Sequence, residues 1–558
     1  MNKSLNFVFG AGLAFLVFSL FSIFRKKEEI NTLEDFAHSV GKIEMGISNK
    51  FEGGNNIPPY EVFVHNPKIN SLLKNEYDLA DILTLDRAAL PARKIDIVSR
   101  PWGDFIQAAS FSADMGKSTN YDAVWVRDSI WCYLALKSEE IAGLDRDSGI
   151  KESRNDASAA KKILITLLDY LSSQIDRMQA VIKNPKILDL PDGQMNAVHI
   201  RFDSNSPIFA DVKENGEPQI WNHKQNDALG LLLDSAISAV KDGSISLDEI
   251  VENARLDALV CLIAYFDSSK FYAMEDSGAW EEEARLNASS IGLVTSALEN
   301  LSNAIEQNKE FALIFNAKTT QLKLKKSVNA ANIKVLIDSG YRVVKKQIAQ
   351  GGESPSYKKT YSKYRLADAA LLSLIYPSNL SRLTTQEKRK ILDIVSVLAG
   401  DYGIKRYEND NYQSANFWFN DIRTDTAQES MDMRKKTFIE GSEAQWFFDS
   451  WFCLCSIIMY RRTKDRDLLT QSFKYTNRAL AQITGDNVLG ANGKKVASFA
   501  LPESYNTLIY SCRYCKKWFA PSPITPLNWA KASMTLMFKE WIVFLSKESK
   551  AKQKKSFY

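Results

Sequence analysis

From residue 129 to residue 547, apolar side chains recur three and four positions apart in one segment after another. That spacing is the strongest constraint on the fold. It marks 129–145, 157–183, 225–241, 248–266, 287–305, 328–349, 364–376, 384–399, 443–461, 466–484 and 527–547 as amphipathic helices. Convincing period-two alternation is scarce. No short repeat and no Pro/Ser-rich linker divides the region. The simplest architecture is one all-α domain of paired helices wound into a ring; separate helical bundles are the alternative.

Composition excludes several classes. The 558 residues are 45% hydrophobic and 25% charged, as in a soluble globular protein. A net charge of +4, spread along the chain, makes no electrostatic case for nucleic acid. The 11 Trp and 21 Tyr would suit stacking on sugar C–H faces, although large helical cores also bury such residues. Six scattered cysteines are too few for a disulfide scaffold. Cys512 and Cys515 form a CxxC with no second pair and no nearby His. His38, His65, His199 and His223 lie outside metal-ligand spacing, so neither a metal nor another cofactor is expected.

Leu5 to Phe24 carries no charge over 20 positions, roughly 30 Å as a helix and enough to cross a bilayer. FSIFRKK offers no good cleavage site, which favours an uncleaved anchor over a signal peptide. Arg25, Lys26 and Lys27 after the span place the body in the cytoplasm; export after cleavage is the alternative. The expected organisation is an anchor at 1–27, a connector at 28–95 packed on the catalytic domain, the helical domain at 96–547 and a basic tail at 548–558.

One stretch suggests chemistry. DSGAWEEEARLNASSIGLVTSALEN, Asp276 to Asn300, sets Trp280 directly before Glu281, Glu282 and Glu283. A carboxyl beside a large indole is desolvated, so its pKa rises and it can donate a proton near neutrality. Acids at a helix start also simply satisfy the dipole. Other inter-helix loops supply matching parts: Trp125, Arg127 and Asp128 in YDAVWVRDS, where Asp128 could equally be a helix cap, then Trp221, Gln225 and Asp227 in QIWNHKQND. Arg406 follows in KRYEND, and Glu503 in LPESYN. Loops converging at one end of a helical ring would make a cleft suited to a polyhydroxyl substrate, one carboxyl donating a proton and another activating water.

In this order the motifs resemble the glucoamylase family of inverting glycoside hydrolases, and more strongly still the glucoamylase-like domain of the phosphorylase kinase α and β subunits. LNASSIGLVTSALENL after a Trp-Glu pair is similar to the kinase-subunit segment. WVRDS, IWNHKQNDALG, YGIKRYENDNY, LPESYN and PLNWAKA are similar to the family's successive blocks. The resemblance covers about 96–547 and implies a six-hairpin (α/α)6 toroid acting on an α-glucoside or glucan. It implies Glu281 as catalytic acid and Glu503 as catalytic base. Trp125, Arg127, Asp128, Trp221, Gln225, Asp227, Trp280, Glu282 and Arg406 then contact substrate. Glu282 matches a glutamate of fungal members that is Arg in the kinase subunits. Two departures bear on linkage preference: a longer loop after the acid, and an insertion at 410–440. A non-catalytic glucan-binding or regulatory module is the competing reading.

Overall fold

Helix Val126–Ile141 packs against Asn226–Lys241, which packs against Ala288–Gln307. The circuit continues through the short turn Ala369–Leu374 to Asp449–Thr463, then to Asn528–Ser556, and returns to the first helix. The computed structural model describes residues 46–109, 120–141, 153–324, 328–412, 426–436, 441–508 and 518–556. The apolar run 5–24 and the Cys512/Cys515 pair lie outside the described residues. Among the described residues no helix is long and apolar enough to cross a membrane.

The sequence explains the circuit. Asn226–Lys241 and Ala288–Gln307 are buried on nearly every side, as expected of helices covered by neighbours all round. Gly230 permits their close approach, because a Cβ there would stand 2.8 Å from the backbone nitrogen of Val294. Amphipathic helices back the circuit: Ser153–Ser173, Ala330–Gln350, Thr385–Ser396 and Arg466–Ala481. Thr385–Ser396 begins at a Thr384/Glu387 capping box and turns Ile391, Leu392 and Val395 inward.

Several expected helices differ in form: 248–266 is interrupted at Asn253 and Ala254, both left-handed, between Leu247–Val251 and Arg255–Ser269, and 443–461 opens with the strand Ala444–Trp446 before its helix Asp449–Thr463. The 157–183 segment breaks at Gln174 into Ser153–Ser173 and Ile175–Lys183. The 364–376 segment yields only a 3-10 turn, Ala369–Leu374. Asp368 starts it by accepting from the Ala370 amide at 2.8 Å, and Pro377 cannot extend it.

The 28–95 region contributes a hairpin, Ile47–Phe51 with Tyr60–Val64, and the helix Leu79–Arg93. That helix lies along Asn528–Ser556. Lys531 pairs with Asp96 at 2.6 Å, and Asn528 accepts from the Asp96 amide at 3.1 Å. A small antiparallel sheet, Ala444–Trp446, Ser504–Leu508 and Trp518–Pro521, pairs Trp446 with Ser504. It therefore sets Glu503 beside Trp446.

Candidate active site

The amino-terminal ends of the circuit helices bring their preceding loops to one pocket. Its cavity, about 90 Å³, has room for several waters. Trp125, Arg127, Asp128, Trp221, Trp280, Glu281, Glu282, Arg406 and Glu503 all line it. Gln225 and Asp227 stand a layer back, outside the lining, where they grip Arg127.

Arg127 organises the acid side. Its Nε donates to Asp227 Oδ2 at 2.6 Å, and Nη2 donates to Gln225, to Asp227 Oδ1 at 3.3 Å and to the Gly278 carbonyl at 3.2 Å. Its Nη1 reaches Glu281 Oε1 at 3.4 Å. Burial opposes the guanidinium's charge, but Asp227 and Glu281 outweigh burial and keep it cationic. The loop bearing Glu281 is fixed at its base by a two-way backbone bridge between Asp276 and Arg285, both bonds 2.9 Å. Asn287 donates to Asp276, and Asn222 donates to the Glu281 and Glu282 carbonyls at 2.9 and 3.2 Å. Glu281 itself adopts φ 59°, an uncommon left-handed conformation for a non-glycine residue.

Glu281 and Glu282 have opposite electrostatics. Burial pushes the Glu281 carboxyl above the ordinary glutamate value, and Arg127 and Arg201 pull it only part of the way back. Burial also acts on Glu282, but Arg406 at 2.9 Å, Arg365 at 3.4 Å and the Tyr407 hydroxyl at 2.6 Å hold it near 2. Burial raises Asp128 to about 7; Arg127 opposes that rise and Glu281 adds to it. Glu503 accepts from the Tyr121 hydroxyl at 2.8 Å.

Aromatic rings frame these charges. Arg406 bonds to Asp410 through Nε and Nη2, at 2.8 and 2.7 Å, and its guanidinium lies 4.7 Å from the centroids of both Trp446 and Tyr412. Trp280 donates its indole N–H to Asp368 at 2.8 Å. Arg201 packs 3.7 Å from the Trp221 ring and 4.9 Å from Trp125. Its placement follows from the Val124–Trp125 and Arg201–Phe202 strand pair, in which Trp125 faces Arg201. Sequence reasoning assigned no role to Tyr121, Arg201, Arg365, Tyr407, Asp410 or Trp446. Tyr121, Tyr407 and Asp410 belong to the motifs that carry Trp125 and Arg406, and that membership was the available signal; Arg201, Arg365 and Trp446 reach the site through tertiary packing. Among the described residues no cluster of His, Cys, Asp and Glu could hold a metal ion.

The fold and this pocket define a helical domain with a charged, tryptophan-lined cavity, and comparison with known proteins gives the family. Residues 97–445 match the profile of glycosyl hydrolases family 15, and the chain belongs to that family. The match ends before Glu503, so the position of Glu503 in the shared pocket is an observation independent of it. The chain is 47% identical over 223 residues to the uncharacterized lipoprotein YgeQ of Escherichia coli, covering 39% of this chain and 79% of that one. It is 26% identical over 314 residues to the skeletal-muscle phosphorylase b kinase regulatory subunit alpha of Mus musculus, covering 52% of this chain and 21% of the subunit. The glucoamylase from Saccharomycopsis fibuligera aligns at 14% identity and TM-score 0.48, over 84% of this chain and 96% of that one.

Proposed function

We propose that the chain is an inverting, exo-acting hydrolase of α-linked glucosides or glucans, built on an (α/α)6 toroid. The observation that carries the proposal is that Glu281 and Glu503 line one pocket in contrasting settings: Glu281 is shifted toward its protonated form, and Glu503 accepts a hydrogen bond from Tyr121. Glu281 protonates the glycosidic oxygen as its bond to the anomeric carbon breaks. Glu503 removes a proton from a water that attacks that carbon from the opposite face, releasing glucose of inverted configuration. Inversion leaves a water's width between the carboxyls, roughly 6.5–9.5 Å. Trp221 and Trp280 pack on the terminal ring, while Arg127, Asp128, Glu282 and Arg406 hold its hydroxyls.

Glucose release from maltose, isomaltose, trehalose and maltodextrins tests this reading, with Glu281→Gln and Glu503→Gln as controls. Proton NMR of the first product should show the β-anomer. Sugar binding without turnover across the panel would instead support a regulatory module, the reading favoured by similarity to a kinase subunit.

We further propose membrane association through residues 5–24, with the catalytic domain in the cytoplasm. The relative YgeQ carries the name lipoprotein, which supports association with a membrane. Membrane fractionation of the full chain and of a variant lacking 5–24 tests the association. Equal solubility would end this part of the proposal.

A further inference from the structure

Behind the aromatic wall of the pocket stands a cation with no counter-charge in contact. Arg201 is 2% exposed. Its Nη2 donates to Gln219, and its Nη1 is buried without a partner. Among the described residues no carboxylate forms an ion pair with it, whereas Asp227 grips Arg127 and Asp410 grips Arg406. An unpaired charge is costly to bury, so other contacts must offset the cost. Two indoles do part of this: the guanidinium carbon lies 3.7 Å from the Trp221 ring centroid and 4.9 Å from that of Trp125. These rings meet edge to face at 5.9 Å, and both line the cavity. Arg201 does not line it, so it covers the sides of the rings turned away from the cavity.

We propose that Arg201 is a positioning residue of the acid side. Its guanidinium backs Trp221 and Trp125 as one wall of the pocket and, without touching substrate, its charge stabilises the carboxylate that Glu281 becomes once its proton has passed to the glycosidic oxygen. This inference rests on the hydrolase reading and adds a residue to its acid step.

The surroundings of the two groups support it. Burial pushes Arg201 down to about 10, and Glu281 leads the groups that oppose this. The other candidates are weaker. Asp211 is bonded to His199 at 2.6 Å, burial keeps His223 neutral, and burial keeps the Tyr170 and Tyr121 phenols un-ionised. Glu281 in turn faces Arg127, Asp128 and Tyr121 besides Arg201. A buried acid that gives up its proton leaves an anion in a desolvated site. Arg127 is already committed to Asp227, so a second cation held ready nearby favours the charge that develops on Glu281. A planar guanidinium also stacks on an indole in a way that a compact ammonium does not, which separates the two roles experimentally.

The test reads the pH profile and KM of glucose release for Arg201→Met and Arg201→Lys, on whichever sugar of the panel above the wild type hydrolyses. Without the cation, Glu281 keeps its proton to higher pH. In Arg201→Met the alkaline limb of kcat/KM, which reports the free enzyme's acid, should therefore move up by about half a pH unit or more. KM should rise about threefold or more, the scale of one cation–π contact. Arg201→Lys keeps the charge and loses the stack, so the limb should return to its wild-type position while KM stays high. A limb unmoved in folded Arg201→Met, a limb moved equally in both variants, or a KM unchanged in both would overturn the inference. If Arg201→Met does not fold, Gln219→Leu, which frees the guanidinium, decides by the same rise in KM or its absence. If no sugar is hydrolysed the hydrolase reading fails separately, and denaturant unfolding of a double-mutant cycle between Arg201→Met and Glu281→Gln decides the pairing. Coupling present at about pH 8 and lost at about pH 4 sustains it; no coupling, or the same coupling at both, overturns it.

Discussion

On one side of the pocket, Glu281 faces a single guanidinium at 3.4 Å that is already committed to Asp227. On the other, Glu282 meets Arg406, Arg365 and Tyr407 within 3.4 Å. Both carboxyls experience the same kind of burial, yet one is raised and the other is held near 2. Desolvation therefore sets a common tendency, and the number of committed cations decides each outcome. A proton donor needs the under-compensated position. A charged anchor for hydroxyls needs the saturated one.

The largest test removes the saturated side's cation. Arg406→Leu leaves Asp410 and Glu282 short of a partner, and denaturant unfolding should show a loss of about 3–5 kcal/mol. Next, Glu281→Gln should lower kcat by about 100-fold or more. Glu282→Gln should cost less, because in the proposed mechanism Glu282 binds substrate and transfers no proton; equal losses would break the distinction between the two sides. Tyr121→Phe removes one charge-assisted hydrogen bond to Glu503 and should lower kcat by about tenfold, with the fold intact by circular dichroism.

The smallest effect is in the pH dependence of stability. Glu282 has a lowered folded pKa, so its contribution is present above about pH 4.5 and lost as pH falls through about 2. Glu281 has a raised one, so its contribution is complete below about 4.5 and lost as pH climbs through the raised value. Glu282→Gln should flatten the stability curve on the acid side, and Glu281→Gln on the neutral side. Identical curves for the two variants would mean that the local cations do not separate them.

Helical periodicity was legible because a three-to-four spacing of apolar residues is a local property. It was least reliable at 364–376, where Asp368 and Pro377 confine a fully buried run to a single turn. At the site, order along the chain identified residues that line one pocket, but it gave no depth. Gln225 and Asp227 share a motif with Trp221, yet they lie behind Arg127. Arg201 and Arg365 carry no motif at all. They reach the site through a two-residue strand pair with Trp125 and an ion pair with Glu282, contacts that exist only once distant segments meet.

The clasp between Leu79–Arg93 and Asn528–Ser556 has a consequence for how the molecule is made. Trp529, which lines the pocket and stacks 6.4 Å from Trp280, is synthesised long after Trp280 and Glu281. A nascent chain therefore carries Glu281 for some 250 residues of synthesis before the pocket can close around it. The pocket closes only when Asn528–Ser556 docks on Leu79–Arg93, a helix made long before it.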